Sequence, residues 1–139
     1  MIEFIEEDKD KDSPFFAYLS FQAQHIPLQA PQEFIDKYLT TYEEGWDTLR
    51  EQRKNKAVEK GIFPPDKKIV DSMSTLDSWS ALDQESKKMI IKSMAVFAGM
   101  LDAMDFHIGR FITYLKKEGL YENTIFIVTA DNGPEGNDP

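Results

Sequence analysis

A chain of 139 residues, 41% of them hydrophobic and ten of them phenylalanine, has the length of one domain and enough apolar matter for an ordinary core, which excludes disorder of the whole. Sixteen lysines and arginines against 25 aspartates and glutamates leave a formal net charge of -9, which argues against nucleic acid and membrane as partners and suits a bound cation. No cysteine is present, so a disulfide framework, a thiolate metal site and a thiol nucleophile are excluded.

The opening MIEFIEEDKDKDSPFF has neither the basic region nor the unbroken apolar run of a secretory signal. Nowhere does the chain approach the roughly 18 consecutive apolar residues of a membrane span. Ile2, Phe4 and Ile5, followed by charges, read as the tail of a helix. With an end in the turn-rich DNGPEGNDP, this start suggests a segment of something longer, whose cytoplasmic, periplasmic or secreted placement stays open. Residues 6–12, EEDKDKD, read as a solvated charge run. Asp8, Asp10 and Asp12 alternate as in a calcium loop, but Ser13 stands where that loop needs glycine, which rules the reading out.

After Pro14, the aromatic run FFAYLSF predicts a strand over Phe15 to Phe21, buried on at least one face. Pro27 and Pro31 forbid a regular ladder, so residues 22–31 form a stiff connection leaving it. A short helix is expected at Gln32 to Tyr38. A second, peripheral one is expected from about Tyr42 to Glu59, with Trp46, Leu49 and Val58 as its few apolar anchors and Gly61 as its stop. Pro64-Pro65-Asp66 marks a turn, and residues 66–80 read as irregular, docked through Leu76 and Trp79.

The strongest periodicity follows. Apolar residues from Ile90 and Met94 through Phe97, Leu101 and Met104 to Ile108, Phe111 and Leu115 step by alternating fours and threes, the mark of an amphipathic helix. Ser80 and Asp83 fit a capping box at its start and Gly119 a C′ glycine at its end, for a rod of roughly 50 Å. Its methionines read as core. Then NTIFIVTADNG predicts a strand buried on both faces. Strand, helices and strand make a right-handed βαβ unit, so the expected class is α/β, with helices packed on a mostly parallel sheet.

Ligands of open α/β sheets bind beyond the carboxyl ends of the strands. His25 follows the first predicted strand, and Asp131 and Asn132 follow the second, which brings an imidazole, a carboxylate and a carboxamide to one sheet edge. Asp131 and Asn132 offer the hard oxygens that Ca²⁺ and Mg²⁺ prefer, and Gly133 lets the backbone turn beneath an ion. Asp-Asn-Gly is equally a common turn that needs no ligand. His25 offers a ring that titrates near neutrality and can donate a proton or hydrogen-bond an oxyanion, or is a packed loop residue. His107, inside the helical pattern, is assigned to structure.

Three blocks carry a resemblance: PFFAYLSFQAQHIPLQAP at 14–31, FAGMLDAMDFHIGRFITYLKKEGLYENT at 97–124, and IFIVTADNGPEG at 125–136. In this order they resemble the sulfatase family, of arylsulfatase type, within the alkaline-phosphatase-like superfamily. The resemblance implies part of an alkaline-phosphatase-like sandwich and hydrolysis of small-molecule sulfate esters at a Ca²⁺ or Mg²⁺ site. It implies that His25 contacts the sulfate and helps the leaving group depart, and that Asp131 and Asn132 ligate the cation.

The family's formylglycine nucleophile arises from Cys or Ser in a C/S-x-P/A-x-R signature, and this chain has none. The resemblance therefore places residues 1–139 in the middle of a catalytic domain, without the nucleophile segment, the paired metal-binding aspartates or a later basic residue. Alone, the chain is expected not to turn over substrate, and its open sheet edges are expected to favour self-association. Other readings are a phosphatase, phosphodiesterase or phosphonate hydrolase of the same superfamily, and a non-enzymatic partner- or calcium-binding domain.

Overall fold

The computed structural model describes residues 1–7, 13–68 and 78–133. The Asp8, Asp10 and Asp12 alternation, the docking point Leu76 and the last six residues lie outside these. Among the described residues four α-helices follow in order: α1 (Ile2–Glu7), α2 (Gln32–Ile35), α3 (Gly45–Glu59) and α4 (Gln84–Lys117), with 3-10 turns at Asp36–Tyr38, Trp79–Ala81 and Tyr121–Asn123. Among the described residues, no helix is long and apolar enough to cross a membrane.

The α/β expectation does not hold. Among the described residues there is no strand, hence no mostly parallel sheet, no βαβ crossover and no sheet edge. The physical reason is that a strand exists only through the partner that satisfies its backbone groups, and neither apolar run meets one. From Phe15 to Phe21 the side chains keep the period of two. Ala17 and Leu19 pack on the end of α4, while Phe16 and Tyr18 are 93% and 75% exposed. The run after Asn123 starts extended, with Thr124 at φ -119° and ψ 128°, and Phe126 lays its ring 5.5 Å from that of Tyr121. Ile125, Ile127 and Val128 stand 85–95% exposed where burial on both faces was expected.

The long helix forms as its periodicity predicts, but its start differs. Ser80 lies in the preceding 3-10 turn, and the N-cap is Asp83, whose Oδ1 accepts the Ser86 N–H at 2.7 Å. That bond satisfies one of the amides that a helix start leaves unpaired, and it holds the Asp83 carboxyl below its ordinary range. At the other end Gly119, at φ 73°, donates to the Lys116 carbonyl, and Leu120 donates to that of Leu115. This pair of bonds is a Schellman close, and Leu120 accompanies it by packing against the cluster that contains Leu115. Gly61 and Ile62 close α3 in the same way, on Val58 and Ala57.

Two groups of residues pack along α4. At its C-terminal end Phe111, Tyr114 and Leu115 form a buried cluster covered by Ile2 and Ile5 of α1, by Ala17 and Leu19, and by Leu120 and Tyr121. In its middle the buried residues are Ala95, Gly99 and Met100, rather than the Phe97 and Leu101 of the predicted stripe. The small residues win because α2 comes in close there. Phe34 and Ile35 are buried, and the Phe34 ring tilts against Phe106 at 5.6 Å. Lys37 Nζ reaches Asp102 Oδ2 at 2.7 Å, and this hydrogen bond raises the lysine pKa. Helix α3 is peripheral, as expected, with Trp46 set edge-on to Trp79 at 5.2 Å.

Candidate functional site

Residues 22–31 form an arm with both ends tied to α4. Upstream, Leu19 rests on the Phe111–Leu115 cluster; downstream, Pro31 accepts the Phe34 and Ile35 amides and starts α2, which seats on Gly99. The two seats lie some twelve to sixteen residues apart on the helix, or roughly 18–24 Å at 1.5 Å per residue. Within the arm the His25 N–H donates to the Gln22 carbonyl at 2.8 Å and closes a turn. The ring is exposed, and its Nδ1 lies 2.8 Å from the Ile26 carbonyl oxygen.

Asp131, Asn132 and Gly133 form an exposed bend. Asp131 Oδ1 accepts the Asn132 backbone N–H at 2.9 Å, and Asn132 Nδ2 donates to the Gly133 carbonyl at 2.6 Å. With its nitrogen engaged, the Asn132 carboxamide offers Oδ1 as its remaining polar atom, and the Asp131 carboxylate keeps lone pairs beyond the one bond it accepts. Both are hard oxygen donors and fit a calcium- or magnesium-type ion, which takes six or more oxygens. Among the described residues no group of three or more His, Asp or Glu side chains gathers to hold a metal. No hydrogen bond joins His25 to Asp131 or Asn132 within the described residues, and no sheet edge is present there to unite them.

A separate cleft of about 330 Å³ lies over the C-terminal half of α4, walled by Ile2, Leu19, Phe21 and Phe111, with Glu3, His107 and Arg110 at its polar positions. None of the predicted site residues lines it. His107 is exposed, its ring edge-on to Phe106 at 5.4 Å, with Arg110 donating to its Nδ1 at 3.2 Å. No sequence motif singles out Arg110; its spacing of three from His107, which puts both on one helical face, is the signal that points to it.

The sulfatase family matches the chain over residues 1–138. An uncharacterized sulfatase of Schizosaccharomyces pombe is 42% identical over 132 residues, covering 94% of this chain and 24% of its own length. An arylsulfatase of Klebsiella aerogenes is 37% identical over 123 residues, 88% of this chain and 26% of that protein. An arylsulfatase of Clostridium perfringens is 28% identical over 140 residues, 95% of this chain and 24% of its own. The chain thus spans about a quarter of the length of these relatives.

Proposed function

The chain belongs to the sulfatase family, and on that premise we propose that it is the part of a sulfuric ester hydrolase that supplies a leaving-group histidine and two ligands of a divalent cation. The observation that carries this reading is the family match over residues 1–138, which takes in both the His25 arm and the Asp131–Gly133 bend. The family is generally metal-dependent.

In this reading the substrate is a small sulfate ester. As its S–O bond breaks, negative charge builds on the leaving oxygen, and a proton from the His25 ring neutralises it. The arm is anchored on α4 at both ends and leaves that ring exposed, which suits contact with a ligand from outside the chain. Asp131 and Asn132 would hold Ca²⁺, or Mg²⁺ in its place, through the carboxylate and the carboxamide oxygen. When bound, the cation supplies positive charge to the sulfate oxygens. The nucleophile would be a formylglycine outside residues 1–139, since these contain no C/S-x-P/A-x-R sequence.

A phosphatase of the same superfamily is the weaker reading, because the relatives named above are sulfatases and arylsulfatases. The test is hydrolysis of an aryl sulfate against the matching aryl phosphate by a protein of the relatives' length that carries this segment. Faster turnover of the sulfate is expected, and a preference for the phosphate would reverse the assignment.

A further inference from the structure

The Nδ1 of His25 sits 2.8 Å from the carbonyl oxygen of Ile26. A carbonyl oxygen has lone pairs and no hydrogen, so the proton in this bond belongs to Nδ1. A neutral imidazole carries a single N–H. With that hydrogen on Nδ1, Nε2 is the basic nitrogen, the one at which the ring takes up a second proton.

We infer that the Ile26 carbonyl fixes His25 in the Nδ1–H tautomer and so makes Nε2 the nitrogen that exchanges a proton with the substrate. The tautomer stands on the geometry alone; the use of Nε2 rests on the leaving-group role proposed above. The contact lies within the arm itself, between neighbouring residues. The His25 N–H is taken by Gln22, and Pro27, which follows the carbonyl, has no N–H of its own. Nδ1 carries a hydrogen in both the neutral and the charged ring, so the bond to Ile26 persists when a proton arrives at or leaves Nε2. The ring therefore keeps one orientation through a cycle of proton transfer. Ile26 is a positioning residue in this scheme, acting through its main chain, which is why no side-chain motif announces it.

The outcome is not the default, because a histidine free in water favours the opposite, Nε2–H form. Nitrogen-15 spectra of the imidazole, recorded on the labelled chain at alkaline pH, separate the two. His107→Gln leaves a single histidine to assign; if His107→Gln folds poorly, subtracting the spectrum of His25→Gln from that of the parent gives the same assignment. The expected result is a protonated, pyrrole-like Nδ1 and a pyridine-like Nε2 as the major form. A major Nε2–H form overturns the tautomer whatever the activity of the longer enzyme. In a protein of the relatives' length, Nε2-methylhistidine at position 25 should lower aryl sulfate turnover by roughly 10², the scale of a lost general acid. Unchanged turnover together with an Nδ1–H spectrum overturns the catalytic use of Nε2 and the leaving-group role, and leaves the tautomer in place.

Discussion

Gly99 of α4 lies directly beneath the main chain of Ile35. A methyl at that position would stand 3.1 Å from the Ile35 amide nitrogen and 3.2 Å from its α-carbon. Two of the three nearest atoms are main-chain atoms of Ile35, so making room there requires α2 itself to give by a few tenths of an ångström. The contact sets how closely α2, and with it the downstream end of the His25 arm, sits on the long helix.

Replacing Gly99 by leucine should therefore cost about 1–3 kcal/mol through overpacking, read by urea denaturation. Gly109, on the same helix, has nothing within 4 Å of where a Cβ would be. Gly109→Ala should stabilise the chain by up to about 1 kcal/mol, since glycine is the poorer helix former. Opposite signs at two glycines ten residues apart would support the close seat of α2; a stabilising Gly99→Leu would contradict it.

At the start of α4, the Ser86 amide holds the Asp83 carboxyl below its ordinary value. A carboxyl whose pKa is depressed on folding contributes stability above the unfolded pKa of about 3.9, and that contribution fades as the pH falls through the lower folded value. Asp83→Ala should lower the melting temperature at neutral pH. Asp83→Asn should keep much of the cap and lose only the acid-dependent part. Circular dichroism melts across the acidic range check both.

Leu115 is fully buried at the end of α4, with α1, Leu19 and Leu120 packed around its cluster. Leu115→Ala should cost about 2–5 kcal/mol in denaturant unfolding, because it removes apolar contacts and leaves a cavity. Since Leu19 anchors the upstream end of the arm, the same substitution should broaden the His25 signals. A loss below about 1 kcal/mol would show that this cluster does not organise the chain.

Among the described residues, no group of three or more His, Asp or Glu side chains gathers around Asp131 and Asn132, and a calcium ion takes six or more oxygens. Calorimetric titration of the chain with Ca²⁺ should accordingly show binding weaker than about 1 mM, the loose end of protein calcium sites. In a protein of the relatives' length, Asp131→Ala should weaken the dependence of turnover on Ca²⁺. Unchanged metal affinity there would make the bend purely structural.

What the sequence revealed depended on how local the signal was. The period of α4 and its glycine stop could be read directly, because periodicity and a C′ glycine are written in neighbouring residues. The cap falls about one turn later than the capping box at Ser80 suggests, since Ser80 and Asp83 both offer side-chain oxygens and only the fold selects between them. The buried face in the middle of α4 differs from the predicted stripe because hydropathy points to Phe97 and Leu101, whereas close helix packing selects Ala95 and Gly99. The two apolar runs kept the composition and, in Phe15 to Phe21, the alternation of strands; pairing is a non-local property that neither run displays. His25, Asp131 and Asn132 stood out by residue type and by family resemblance, and the hydrogen bond from Nδ1 to Ile26 has no counterpart in sequence pattern.

The most direct test of the account is aryl sulfate turnover by His25→Ala in a protein of the relatives' length carrying residues 1–139, measured beside its Ca²⁺ affinity. The account predicts a fall of roughly 10² or more with metal affinity unchanged. Turnover near that of the parent would remove His25 from the mechanism and contradict the functional reading of the arm.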